Sequence, residues 1–445
     1  MTDLRPLDPE LEFLDRAALD ALQLAKLKAL LRHVAATNPF YAARWEQAGL
    51  DVTRIQSFAD FRRAVPMLTK ADFLEDQRAH PPFGRRIGAL GHTAHRIEIY
   101  TTSGTSGQGV EVHVQTKREL EVMERLYAYY FRWAGLGAGD STALTLPITM
   151  LAGGRAEYQG AVAYDLSVLP IGNYSAAQKA ELIRRFRPKA LFGSSSYFAH
   201  LGSLLEAEGT IPQVDVLLTG LEGVGLSFFK KLEMQWGARV AERFGCAQMR
   251  TDFMFTDESG IGSPASPGTL YNMDPYVYLE LLDPSTGLSV RDGEFGEMVV
   301  TSLFHLDNPV IRIRLNDGAV FRSGERSRGP RKFQGVELAS ITRLDDVKKV
   351  KGINIYPQAV DDLVHTLPEI AQYEVVLSST ADYLDVATLN VQLKSRESTE
   401  KLGVESTLRS LCKERLGIHF EVCIVPEIAV SDYKARRWKD LRERR

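Results

Sequence analysis

The stretch YTTSGTSGQGVEVHV, residues 100–114, gathers the hydroxyls of Thr101, Thr102, Ser103, Thr105 and Ser106 around Gly104, Gly107 and Gly109. Successive backbone N–H groups in glycine-permitted conformations form a concave anion nest, and serine and threonine hydroxyls add donors. A phosphate is the natural guest, although the same composition also suits a plain surface loop. It is not a Walker A loop, which carries Lys and then Ser or Thr after its glycines, because Gly107 is followed here by Gln108 and Gly109. In PVIRIRLNDGAVF, Asp317 follows a β-rich run. Its carboxylate, an acceptor-only group, suits a ribose diol, while Asn-Asp-Gly between apolar stretches equally describes a hairpin turn. Lys434 stands in the basic tail SDYKARRWKDLRERR, where spacing alone does not separate it from its neighbours. The histidines form no HExxH or His/Cys cluster and no GxSxG elbow occurs, so metalloprotease and serine-hydrolase chemistry has no support.

These candidates need elements to position them. Residues 15–36 have helical periodicity, with Leu24, Leu27, Leu31 and Val34 on one stripe. From about residue 117, helix-like stretches (KRELEVMERLYAYYFRWAGL, SAAQKAELIRRF, YFAHLGSLLEAEG, FFKKLEMQW) alternate with strand-like ones (STALTLP, LSVLP, KALFG, VDVLLTG, ARVAERFG). Such alternation predicts βαβ units and a parallel sheet. After about residue 270, VYLELLDPSTGLSV, EMVVTSL and VIRIRL suggest antiparallel strands, and the last hundred residues resemble a small α+β unit. The expected class is therefore α/β: a large N-terminal domain, 1–344, with a parallel-sheet core plus antiparallel strands, and a small α+β C-terminal domain, 345–445. In open α/β sheets, ligands sit beyond the carboxyl ends of the strands. The turns GSSSY (193–197), TGLEG (219–223) and FGCAQ (244–248) are expected to share that end.

Composition bounds the rest. The chain has 445 residues, 44% hydrophobic and 25% charged, with a formal charge of −3, which supplies no global attraction to nucleic acid or anionic membranes. No apolar run is long enough to span a membrane, and the N-terminus lacks an apolar signal core, so a cytoplasmic location is expected. Cys246, Cys412 and Cys423 are too scattered for a disulfide framework or a thiolate zinc site.

Taken in order, several segments resemble the adenylate-forming (acyl-activating) superfamily, most closely its phenylacetate–coenzyme A ligase branch. LLRHVAATNPFYAARWEQAGLD, VPMLTKADF and PPFG resemble the branch's N-terminal region, and TTSGTSGQG its phosphate loop. GLEG resembles the GAEP turn, FGCAQ the YGxSE motif, and PVIRIRLND the PVIRYRTGD segment. ITRLDDVKKVKGINIYP resembles the hinge region and YKARRWKD the terminal GKAxRVID.

The resemblance implies that a carboxylate and ATP give an acyl-adenylate and pyrophosphate, after which a thiol such as coenzyme A displaces AMP. By position, Thr102, Ser103, Gly104, Thr105, Ser106 and Gly107 would hold phosphates, with Gly220, Leu221, Glu222, Phe244, Gly245 and Cys246 around the adenine. Asp317 would hold the ribose, Arg343 would contact the nucleotide, and Lys434 would be the catalytic lysine of adenylation. Asp345 would be the hinge of the mobile C-terminal domain, and Lys351 and Gly352 would face the acceptor. The branch favours aryl or arylacetic acids, for which Tyr158 and Tyr197 are candidate pocket residues; both also suit an ordinary core.

Departures from the family pattern are equally specific. Gln108 and Gly109 replace the loop's Lys-Pro, and Gln248 replaces a metal-binding glutamate, so Mg²⁺ falls to Gln248 or Glu258, with Asp252 or Asp257 as compensating carboxylates. Thr342 and Tyr433 replace glycines. SPASPGTLY lacks the branch's cysteine/histidine cluster, so no zinc is expected. The expected cofactors are ATP and Mg²⁺, and the partners an aromatic acid and coenzyme A, without nucleic acid or membrane; a homodimer stays open. Transfer to an amine, hydroxyl or carrier-protein thiol is the alternative acceptor chemistry, and a non-catalytic nucleotide-binding module the alternative class.

Overall fold

The computed structural model describes residues 5–92, 97–102, 109–327, 329–344, 347–350, 353–379, 385–394, 398–428 and 437–442. A hairpin of β1 (Ile97–Thr101) and β2 (Val112–Thr116) precedes the main sheet. Five parallel strands follow: β3 (Ser141–Leu144), β4 (Ser167–Pro170), β5 (Ala190–Phe192), β6 (Val216–Thr219) and β7 (Arg239–Cys246), in the spatial order β4-β3-β5-β6-β7. β8 (Thr251–Thr256) pairs antiparallel with β7 and continues the same sheet into the strands Thr269–Asn272, Gly335–Glu337, Ile313–Arg322, Phe295–Ser302 and Val277–Leu282. The α/β class is borne out, with the parallel and antiparallel parts forming one sheet.

Alternation along the strands divides the core into two faces. Leu191, Leu217 and Val240 pack into one cluster, and Ala190, Phe192, Val216, Leu218 and Ala241 into another. A third cluster runs from Val350 to Val422, between the strands Ile370–Ser379 and Asp385–Leu393 and the helices Pro357–His365 and Ser398–Leu416.

The first long helix, Arg16–Thr37, is capped by Asp15, whose side chain accepts from Ala18 N at 2.8 Å, and it ends at Asn38, extended before Pro39. Its buried line runs through Leu19, Gln23, Leu27, Leu30, Leu31 and Val34, with Leu24 only half-buried. The displacement from the expected stripe comes from Gln23, whose amide donates to the carbonyls of Asp274 (2.8 Å) and Val277 (3.1 Å) and so tolerates burial.

Candidate functional site

Because β5, β6 and β7 are adjacent and parallel, the turns 193–197, 219–223 and 244–248 emerge at one end of the sheet. Two of them are tied together: Ser196 donates from its backbone N (2.5 Å) and its hydroxyl (2.9 Å) to Glu222. Gly220 has a packing reason, since a Cβ there would lie 2.8 Å from the Arg243 guanidinium. That guanidinium is buried and pairs with Glu157 and with Asp252 (2.7 Å). Leu221, at φ 75°, takes a left-handed conformation unusual for a side chain of its size, and it is 45% exposed.

At the end of β7 the register slips between Phe244 and Gly245, where a Cβ on Gly245 would meet Thr251 O at 2.4 Å. Phe244 is half-buried and meets Phe253 edge-on at 5.8 Å. Burial of its sulfur pushes the Cys246 thiol up to about 12, with the Asp317 and Glu111 carboxylates adding to the effect. The thiol is therefore no nucleophile at neutral pH, and Asp317 and Glu111 both lie within electrostatic reach of this turn.

Asp317 is not in a hairpin turn. It lies inside the strand Ile313–Arg322, where Asn316 at φ 60° coincides with a register shift against Phe295–Ser302, so Asn-Asp-Gly marks a bulge. Asp317 is directly opposite Arg343, and Arg343 Nη1 lies 3.1 Å from Asp317 Oδ2.

The phosphate-loop candidate begins at a closed neck. Thr102 N donates to Glu111 O (3.1 Å), and Glu111 N donates to Thr102 Oγ1 (3.0 Å). Thr101 N donates to Met150 O at 2.8 Å, joining the neck to the segment after β3. Ser103, Gly104, Thr105, Ser106 and Gly107 lie outside the described residues, as do Asp345, Lys351, Gly352 and Lys434.

Three expectations need correction. Glu258 is not near Gln248: it follows β8 at the opposite end of β7, roughly 25 Å away by strand rise. There Arg331 holds both its oxygens (2.6 and 3.0 Å). Asp257 shares that end and the same arginine, and Asp252 is occupied by Arg243 and Tyr127. Gln248 does lie at the site, but its amide nitrogen donates to both oxygens of Glu111, at 3.1 and 3.0 Å. Tyr158 and Tyr197 do not line one pocket: Tyr197 belongs to the cluster of Leu191 and Leu217, and Tyr158 packs against the cluster on the other sheet face. Lys179 sits over the Tyr197 ring at 4.6 Å.

The structure adds residues that sequence reading missed. Ile148, Met150 and Leu151 are 41%, 50% and 36% exposed on the segment between β3 and the helix Ala152–Ala163, and Leu221 comes within 3.4 Å of a Cβ built on Gly153. Gly153, just after them, thus lies against the 219–223 turn. Three unpaired apolar side chains directly after a parallel strand were the available signal.

The C-terminal unit docks just after the 219–223 turn, at the start of the helix Leu226–Trp236. In the helix Pro357–His365, Asp361 accepts from Gly225 N (2.9 Å), while Asp362 accepts from Ser227 N (3.0 Å) and its hydroxyl (3.1 Å). Both carboxylates meet the N-terminus of the helix Leu226–Trp236, where free N–H groups and the helix dipole favour negative charge. Arg437 and the Tyr373 hydroxyl also bond Asp361.

The family model for the AMP-binding enzyme C-terminal domain matches residues 352–442. The phenylacetate-coenzyme A ligase of Aromatoleum evansii is 25% identical over 99% of this chain and 98% of its own length. A crystal structure of 2-hydroxyisobutyryl-CoA ligase in the postadenylation state, with 2-HIB-AMP, superposes with a TM-score of 0.88 at 23% identity, covering 98% of this chain and 94% of that one. The same ligase in its thioesterification state, with 2-HIB-AMP and CoA, gives 0.69 at 23% identity, covering 99% and 94%.

Proposed function

We infer that this chain, which belongs to the adenylate-forming superfamily, is an AMP-forming acid–thiol ligase: it joins a carboxylic acid to AMP and then passes the acyl group to coenzyme A. The observation that carries the reading is the convergence of the 102–111 neck, the three strand-end turns and the Asp317–Arg343 pair on one end of the sheet. We further propose residues 1–344 as the adenylation domain and 345–445 as the mobile domain, with Asp345 as its hinge.

Adenylation brings two anions together, so the enzyme must stabilise charge on the α-phosphate while the acid's carboxylate attacks it. Backbone N–H groups and hydroxyls of 102–107 would cradle the phosphates. Asp317 accepts hydrogen bonds from the ribose, and Arg343, already against Asp317, adds a cation at the nucleotide. Phe244 and the 220–222 turn flank the adenine, and Lys434 bridges the acid and the α-phosphate during the first half-reaction. In the second, the mobile domain turns Lys351 and Gly352 toward the pantetheine thiol, which attacks the acyl carbon and releases AMP. Gln248, whose amide oxygen is a hard donor, would help hold a magnesium ion, which when bound would screen the phosphates from the incoming carboxylate. An aromatic acid is supported by the named ligase relative and by the exposed apolar side chains of Ile148, Met150, Leu151 and Leu221.

The test is carboxylate-dependent ATP–pyrophosphate exchange without coenzyme A, across benzoic, hydroxybenzoic, aminobenzoic and arylacetic acids. Exchange with an aryl acid, followed by AMP release that requires coenzyme A, is the expected result. AMP release driven instead by an amine or hydroxyl would replace the acceptor. Silence across the panel, in protein that binds ATP, would overturn the aromatic ligase reading.

A further inference from the structure

Position 248 holds an amide where the resemblance leads one to expect a carboxylate. The missing charge stands beside it. Glu111 is almost wholly buried at the neck of the phosphate-loop segment, and Gln248 Nε2 donates to both its oxygens, at 3.1 and 3.0 Å. The two residues are 137 positions apart in sequence and are brought together only by the fold.

The chemistry of the pair fixes its orientation. An ionised carboxylate only accepts, so the amide must present its N–H group to Glu111, which turns Oε1 away from it. The pair tolerates one carboxylate and no more, since two at this separation would have to share a proton. Lys70 Nζ lies 3.5 Å from Glu111 and places a cation beside its carboxylate. The His113 ring, 3.7 Å away, is kept neutral by burial, with Arg86, Arg250 and Lys70 adding to the effect. Backbone bonds between Glu111 and Thr102 fix this arrangement directly against the neck.

We propose that Glu111 and Gln248 divide the work of a single metal-site glutamate: Glu111 supplies the negative charge and holds Gln248, and Gln248 supplies the oxygen donor for the magnesium ion of bound ATP. Glu111 is thus a positioning residue that acts through Gln248. The proposal rests on the nucleotide site described above and adds to it a residue pair that joins the segment before β2 to the turn between β7 and β8.

Isothermal titration calorimetry of ATP with Mg²⁺, and of ATP in EDTA, tests it in the full chain without reference to turnover. Glu111→Gln should weaken MgATP binding about tenfold or more while leaving metal-free ATP binding within twofold, the range seen when a partner of a metal ligand is lost. The swapped variant Glu111→Gln/Gln248→Glu, which moves the charge back to 248, should return MgATP affinity to within about threefold of the parent. Equal MgATP affinity for Glu111→Gln and the parent would overturn the proposal, as would a swapped variant no better than Glu111→Gln. Should Glu111→Gln fail to fold, the swapped variant carries the test alone, near-parental affinity supporting the pair and a tenfold loss overturning it. If the parent binds ATP neither with nor without metal, the nucleotide-site reading itself fails and takes this proposal with it.

Discussion

Asp317 and Arg343 sit opposite each other across two antiparallel strands, and their side chains meet at 3.1 Å although they are 26 residues apart. The arginine side chain is about half exposed and the carboxylate is nearly buried, so the pair points its charged ends at the rim of the site. Hydrogen bonds to a charged acceptor contribute about 1.5–3 kcal/mol each. Asp317→Asn should therefore weaken AMP binding by roughly tenfold to a hundredfold, with little change in urea midpoint. Calorimetric titration with AMP checks this; unchanged affinity would remove Asp317 from the ribose site.

Lys434 separates the two half-reactions. Loss of a cation aimed at developing charge costs on the order of 10²–10³ in rate. Lys434→Ala should slow ATP–pyrophosphate exchange by that factor or more, while thioester formation from synthetic acyl-adenylate stays within a few-fold. Equal losses in both would contradict a role confined to adenylation.

The sequence carried the sheet because its strands are short, apolar and separated by amphipathic helices, and the turns after KALF, VLLT and AERFGC are visibly glycine-rich or polar. Adjacency of β5, β6 and β7 then made their common end a consequence of topology. What stayed hidden depends on distance in three dimensions. Glu258 is ten residues from Gln248, yet β8 runs back along the sheet and carries it to the other end. Tyr158 and Tyr197 both belong to helices on the sheet, but helical periodicity does not say which face each helix covers. Glu111 reads as an ordinary polar residue ahead of a strand until Gln248 is seen against it. The Asn-Asp-Gly of 316–318 has hairpin chemistry, and only strand pairing on both sides reveals a bulge.

The docking of the C-terminal unit rests on Asp361. Burial disfavours its charge, but Arg437 and His365 more than reverse that and hold it well below the usual carboxylate range. Removing one partner of a buried ion pair costs about 3–5 kcal/mol, because the other charge is left unpaired. Asp361→Ala should therefore lower stability by about that amount, measured by urea unfolding. Asp362→Ala, which loses cap-type bonds to Ser227 and the Leu226 backbone, should cost about 1 kcal/mol, as for a helix cap. Similar effects from the two substitutions would show that the Arg437 pairing adds nothing.

Glu242 makes stability depend on pH. It lies within β7, opposite Thr219 of β6 and next to Arg243, and burial raises its carboxyl to about 8 from an ordinary 4.5. Geometry agrees with a protonated acid: Thr219 Oγ1 is bonded both to Glu242 and to Ala241 O (3.2 Å), and one hydroxyl hydrogen serves both contacts only if Glu242 donates to it. Between pH 4.5 and 8 the folded state holds a proton that the unfolded chain releases, so stability is greatest below the unfolded pKa and falls as pH rises through the folded one. Each tenfold difference in proton affinity between the folded and unfolded states corresponds to about 1.4 kcal/mol. Glu242→Gln keeps the shape and a donor toward Thr219 without a titrating proton. It should match the parent closely at pH 4.5 and exceed it by roughly 4 kcal/mol near pH 8, read from urea midpoints across the range. A gain that is flat with pH would mean that Glu242 is already ionised in the folded protein, and that Thr219 donates to it and leaves Ala241 O without that bond.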